Sequence, residues 1–121
     1  MIFAIEVELP EFKKDFKKLK KKYASLDEDF KSLKTSQLKL YHKLKVNNGG
    51  VLPIPGLGIE TPDIYKVKKF ACKSLKGSGS NSGLRLIYAH FPEADKIEYI
   101  EIYFKGNQAN EDRDRIKKYY K

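Results

Sequence analysis

Two apolar runs of strand length near the C-terminus constrain the fold more than anything else in the chain. Leu84 to Phe91 reads Leu-Arg-Leu-Ile-Tyr-Ala-His-Phe, and Lys96 to Phe104 reads Lys-Ile-Glu-Tyr-Ile-Glu-Ile-Tyr-Phe. The turn residues Pro92-Glu93-Ala94-Asp95 separate them. Runs rich in β-branched and aromatic residues, punctuated this way, read as strands. A third run, Ile64 to Ser74, precedes them. Strand backbones must be paired, so the chain commits to a sheet. A single arginine, Arg85, interrupts what otherwise reads as a buried strand. An unpaired guanidinium there is costly to desolvate. Phosphate is one partner that suits it, because the planar fork of donors grips phosphate oxygens.

The N-terminal half carries helical periods. Ile2 to Leu9 alternates, with Phe3, Ile5, Val7 and Leu9 on one face and Glu6 and Glu8 on the other, as in a half-buried strand. Pro10 ends it and suits the first position of a helix. Phe12, Phe16, Leu19 and Tyr23 then form one helical stripe, and lysines cover the rest as a solvated face. Ser25-Leu26-Asp27-Glu28 reads as a capping box that opens a second helix. Leu26, Phe30, Leu33, Leu40 and Leu44 continue on helical spacing until Asn47-Asn48-Gly49-Gly50. Val51 to Pro62, with three prolines and two glycines, reads as an irregular loop. Lys76 to Gly83 reads as a flexible connection too long for a two-residue hairpin. Asn110 is the expected cap of a last helix, with acidic residues early and lysines late.

The expected order is β-α-α-β-β-β-α. The expected class is α+β: one domain over residues 1–121, with an antiparallel sheet of about four strands packed on an N-terminal helical hairpin. The first strand must join an edge of that sheet.

Charge narrows the partners. The 121 residues hold 25 Lys+Arg against 16 Asp+Glu, a net charge of +9, which favours a polyanion. The lone Cys72 can form no internal disulfide, fits a reducing cytoplasm, and reads as a small buried hydrophobe. His42 and His90 are isolated and no C-x-x-C occurs, so no metal set is expected. Met1 to Glu6 is too short and acidic for a signal peptide, and no apolar run approaches the ~18 residues of a membrane span.

Taken together, these pieces resemble the RelE/ParE superfamily of type II toxin-antitoxin toxins. Glu11 to Leu19 looks like the family's first helix. Tyr65-Lys66-Val67-Lys68 resembles its basic strand. Lys76 to Tyr88 is similar to its glycine-rich hairpin ending in G-x-R-h-h-Y, here Gly83-Leu84-Arg85-Leu86-Ile87-Tyr88. Ile100 to Lys105 looks like its last strand with a trailing basic residue. The RelE-like branch implies an endoribonuclease, commonly acting on mRNA in the ribosomal A site. The ParE-like branch implies a non-enzymatic inhibitor of DNA gyrase. An inactive basic RNA-binding relative is a third reading. The resemblance also implies a cognate antitoxin partner, acidic in its binding segment, and a cytoplasmic protein without metal or cofactor.

In RNA cleavage of this kind the ribose 2′-OH attacks the adjacent phosphate. Cations must stabilise the transition state, and a base and an acid must move protons. The resemblance places Arg85 at the family's active-site arginine, with an ion pair to Glu101 as the structural alternative. Lys66 and Lys68 match the family's basic pair, with Lys69 beside them, and Lys105 matches its trailing basic residue. The family's C-terminal catalytic tyrosine has no match, since Asn107 to Glu111 occupies that stretch. Tyr103, Tyr119 and Tyr120 are candidate substitutes, and Tyr103 could also stack on a base. Glu101 and His90 are candidate general bases. The expected site is therefore Arg85, Lys68, Lys105 and Glu101 for catalysis, with Lys66, Lys69 and Tyr103 for RNA binding.

Overall fold

The computed structural model describes residues 2–75, 79 and 81–121; Met1, and much of the connection expected over Lys76 to Gly83, lie outside the described residues. The elements run β1 (Ile5–Glu8), α1 (Pro10–Lys22), α2 (Leu26–Leu33), a π-helical segment (Lys34–Lys43), β2 (Val51–Pro53), β3 (Asp63–Val67), β4 (Leu84–Phe91), β5 (Lys96–Phe104) and α3 (Arg113–Tyr120). The class is α+β. The five strands form one sheet in the order β1-β5-β4-β3-β2.

Strands β2 to β5 make the antiparallel meander, but β1 pairs parallel with β5, Ile5 opposite Lys96 and Glu8 opposite Tyr99. The sheet is therefore mixed, with β1 at an edge. No hairpin ties β1 to its neighbour, so the crossover through α1 and α2 leaves its direction free. The fifth strand, β2, lies where the prolines and glycines of Val51 to Pro62 suggested only loop. It is three residues long and sits at the other edge, where Pro53 costs no ladder bond.

One core fills the face under the helices. Phe3, Phe12, Leu26, Phe30, Leu38, Leu86 and Tyr99 are buried there. The ring of Phe30 stands edge-on to Tyr99 with centroids 4.9 Å apart, and that of Phe12 lies 5.7 Å from Phe30. Each such side chain contributes roughly 1.5–3 kcal/mol by burial. A second, smaller core covers the opposite face. There Ile64, Ile87, Ala89 and Ile100 meet Ile116 of α3 and Leu57. The sheet is thus covered on both faces, which is why β4 reads as an apolar run, interrupted at Arg85 and His90, instead of an alternating one. The side chain of Arg115 pins α3 to α1, donating to Asp15 at 2.6 Å and to the carbonyl of Ile100 at 3.0 Å.

Several local expectations are corrected. Ser25 does not close a capping box: its hydroxyl donates to Asp29 at 2.6 Å and accepts from the amide of Ser74 at 2.9 Å. It ties the start of α2 to a distant loop. The last helix is capped by Asp112, not Asn110, and the Asp112 carboxylate accepts from the amide of Arg115 at 3.1 Å. Strand β3 ends at Val67, short of Ser74, because its partner β4 begins only after Gly83 turns at φ +90°. Ile5 is exposed, while Phe3 carries the burial expected of that face.

The second helix changes character at Lys34. The hydroxyl of Thr35 donates to the carbonyl of Ser32 at 3.1 Å, and that of Ser36 donates to the same carbonyl at 2.7 Å. Side chains that bond back in this way compete with the helical ladder. The turns widen, and the amide of Leu44 reaches the carbonyl of Lys39, five residues back, at 3.0 Å. Widening rotates the buried stripe. Leu38 and His42 face the core in place of Leu40 and Leu44, and Leu44 is 57 % exposed. No helix among the described residues is long and apolar enough to cross a membrane.

Candidate functional site

The strand register gathers most of the expected site residues onto the sheet face that carries the smaller core. Paired residues of neighbouring strands point the same way. Lys66 pairs with Ile87, Ile87 with Glu101, and Arg85 with Tyr103. Lys66, Arg85, Glu101 and Tyr103 therefore share that face. A bulge helps: β5 spends two residues where β4 spends one, between Ile87 and Tyr88, so Ile100 and Glu101 both turn to the same side. Lys105 lies one residue past β5, donates its amide to the carbonyl of Gly83 at 2.9 Å and is exposed. Lys68, just past β3, is exposed too, and its carbonyl accepts from Arg85 Nη1 at 3.2 Å. Lys69 does not join them. It alternates to the other face, and its ammonium donates to the carbonyl of Asn48 at 2.6 Å.

Arg85 is half-buried and held by backbone alone. Its Nη1 donates to the carbonyls of Lys68 and Leu84, each at 3.2 Å. Among the described residues no carboxylate reaches it, and the ion pair with Glu101 is absent. The guanidinium keeps further donors for an incoming anion.

Lys66 is not a free cation. Its ammonium meets Glu111 at 2.6 Å, with side-chain exposures of only 14 % and 6 %. Burial works to lower the Lys66 pKa, but the Glu111 carboxylate and Tyr103 outweigh it and the value rises. Burial works in the opposite sense on Glu111, and Lys66 pulls that carboxyl below its usual range. Both partners are thus held charged. The hydroxyl of Tyr103 is buried beside this pair and closes no hydrogen bond of good geometry. Burial raises its pKa against the pull of Lys66, so it is a protonated phenol.

Glu101 is 2 % exposed, and both carboxylate oxygens are engaged. Oε1 accepts from the amide of Asp112 and Oε2 from Gln108 Nε2, each at 2.8 Å. Burial raises its pKa in spite of these bonds. Glu101 thereby anchors the segment that leads into α3. The other two tyrosines are occupied away from Arg85: Tyr119 donates to Glu11 at 3.0 Å and Tyr120 to Glu98 at 2.7 Å.

Sequence reasoning missed Glu111, which read only as an early helix residue. It also treated the two histidines as isolated, whereas the structure packs them together at a tilt of 38°. The rings of His42 and His90 lie 4.0 Å apart beside a cleft of about 390 Å³ at the far end of β4, on the helix-covered face. His42 Nε2 bonds the Tyr88 hydroxyl at 2.7 Å. Burial, reinforced by His90, Lys45 and Lys43, depresses the His42 pKa to about 3. The aromatic character of Tyr41, Tyr65 and Tyr88 was visible in the sequence; the rotation that delivers His42 to them was not. Among the described residues no group of three or more His, Cys, Asp or Glu is arranged to hold a metal ion. Comparison with protein-family models, with curated proteins and with solved structures finds no match for this chain.

Proposed function

We propose that the chain is a RelE-like toxin, a metal-independent endoribonuclease that cuts mRNA, on the ribosome, and is restrained by an acidic antitoxin. One observation carries this reading: a half-buried arginine without a carboxylate partner stands between exposed lysines, next to a buried phenol that lacks a hydrogen bond. Arg85 offers its fork to the phosphate as negative charge builds on the non-bridging oxygens. Lys68 and Lys105 flank it and attract the backbone. The Tyr103 hydroxyl, held beside the Lys66–Glu111 pair, is the acid for the leaving 5′-oxygen once substrate binding turns the buried side chain out toward Arg85. The bond from the 2′-oxygen to phosphorus forms as the phosphorus–5′-oxygen bond breaks, giving a 2′,3′-cyclic phosphate and a 5′-hydroxyl. Glu101 acts by positioning in this scheme, since both its oxygens are engaged. Its protein environment leaves the base for the 2′-OH to a group outside this row, the ribosome or water.

A second reading, a gyrase-binding or RNA-binding module without chemistry, draws support from the same facts about Glu101 and Lys66: one candidate base is occupied and one candidate cation is neutralised. The two separate in a cell-free translation reaction read by primer extension. The ribonuclease leaves new 3′ ends within the reading frame, and Arg85→Ala abolishes them. If the wild type leaves none with ribosomes present, the enzyme reading fails and a gyrase supercoiling assay is the next test.

A further inference from the structure

The cleft at the other end of β4 is built from different materials. Its walls are rings: Tyr41 and Tyr65 stand edge-on with centroids 5.4 Å apart, His42 lies 5.2 Å from Tyr65, and His90 packs on His42 at 4.0 Å with the planes tilted by 38°. Its rim carries one charge of each sign, the ammonium of Lys45 and the carboxylate of Asp63. The register places Asp63 directly opposite His90. His42 is fixed from behind by the Tyr88 hydroxyl. His90 is not: among the described residues its ring nitrogens make no hydrogen bond, though the ring is half-buried. A half-buried imidazole with unused donor and acceptor positions faces a space of about 390 Å³, near the lower end for small-molecule sites.

We infer that this cleft holds one base of a single-stranded RNA, as a nucleobase subsite separate from the Arg85 face. A planar heterocycle matches the ring-lined walls, because every base offers a π-face to stack. Its polar edge meets the imidazole of His90, an acceptor and a donor, and the Asp63 carboxylate, an acceptor. Its phosphate meets Lys45. A bare anion has no use for four rings, and a purely apolar ligand would leave Asp63 and Lys45 without purpose. Burial lowers the pKa of both histidines, so the rings are neutral near pH 7 and present flat uncharged faces. Arg85 and His90 are five residues apart on one strand, roughly 17 Å, and alternate to opposite faces. The two regions therefore bind different nucleotides. The choice of RNA as the physiological strand rests on the function proposed above; the recognition of a nucleotide does not.

The test is a titration of the full chain with uridine, cytidine, adenosine and guanosine monophosphates, followed through the imidazole signals of His42 and His90 by NMR. Inorganic phosphate and the parent nucleosides serve as comparison ligands. At least one nucleotide is expected to shift both rings saturably, with a dissociation constant of ~1 mM. His90→Ala should weaken it roughly tenfold. Lys45→Asn, which suits the positive φ of 57° at that residue, should weaken the nucleotide about two- to threefold and leave the nucleoside unchanged. Arg85→Ala should leave the affinity unchanged, so a failed ribonuclease assay does not decide this point. The inference is overturned if no nucleotide shifts either ring, if inorganic phosphate alone produces the same shifts, or if Arg85→Ala removes them.

Discussion

Strand β4 carries two polar side chains in an apolar run, and the protein treats them in opposite ways. Arg85, near one end, keeps a permanent cation by offering it to backbone carbonyls and to solvent. His90, near the other end, is kept neutral against a second imidazole and a wall of tyrosines. The first arrangement stores an unmet demand for an anion. The second gives up charge for ring packing. Both depend on the neighbouring strand: β5 sets Tyr103 beside Arg85, while β3 sets Asp63 and Tyr65 beside His90 and Tyr88. One strand can serve two chemistries because alternation sends its neighbours to different faces.

The contrast can be broken most severely on the Arg85 side, through the buried pair that supports Tyr103. Lys66→Met leaves the Glu111 carboxylate with only the more exposed Arg113, whose Nε donates to Oε2 at 3.1 Å. We expect a loss of about 3 kcal/mol in urea unfolding, the lower end for a buried pair because Lys66 keeps some contact with solvent and Arg113 still bonds Glu111. The double variant Lys66→Met/Glu111→Leu should recover most of it, and a loss equal to the sum of the two single changes would deny that the pair is coupled. At the other end, Tyr88→Phe removes the hydrogen bond to His42 Nε2 and should cost about 1–2 kcal/mol in the same assay. A wild-type stability for this variant would mean that His42 is not held from behind.

Acidity sharpens the comparison further. The folded His42 pKa, about 3, lies below the ordinary value of 6.5, so the unfolded chain binds the proton first as pH falls. Stability is full above pH 6.5 and declines as pH drops toward 3. His90, lowered by burial, acts in the same direction. Thermal melts between pH 7 and 5 should therefore show a falling Tm, and His42→Gln should flatten the slope. A rising Tm over that window would contradict the buried neutral imidazole. The smallest effect is expected on α1, whose lysines form the solvated face read from the sequence. Lys18→Ala should move stability by less than about 0.5 kcal/mol.

What the sequence disclosed followed physical locality. The bounds of β4 and β5 coincide with the expected runs, and α1 starts at Pro10, because turn residues and a helix-compatible proline act on their immediate neighbours. The shared face of Lys66, Arg85, Glu101 and Tyr103 was half legible: alternation was readable, but the bulge that turns Glu101 was not. Features set at a distance escaped. The partner of Lys66 lies 45 residues on, in a segment that looked like a helix cap. The direction of β1 depends on a crossover. The meeting of His42 with His90 depends on a widened helix whose cause, hydroxyls at 35 and 36 bonding back to Ser32, carries no periodic signature. Burial of both sheet faces depends on α3 folding back over β4, which a linear reading assigned to no face.

The most direct test joins activity to stability in one variant. Arg85→Ala is compared with wild type for reporter mRNA cleavage and for unfolding free energy. We predict that cleavage falls by about 10²–10³, as for loss of one transition-state donor. Unfolding free energy should change by ~1–2 kcal/mol, since two backbone hydrogen bonds of a half-exposed guanidinium are lost. Unchanged cleavage, or a stability loss of several kcal/mol that accounts for the missing activity, would show that Arg85 serves the fold and not a phosphate.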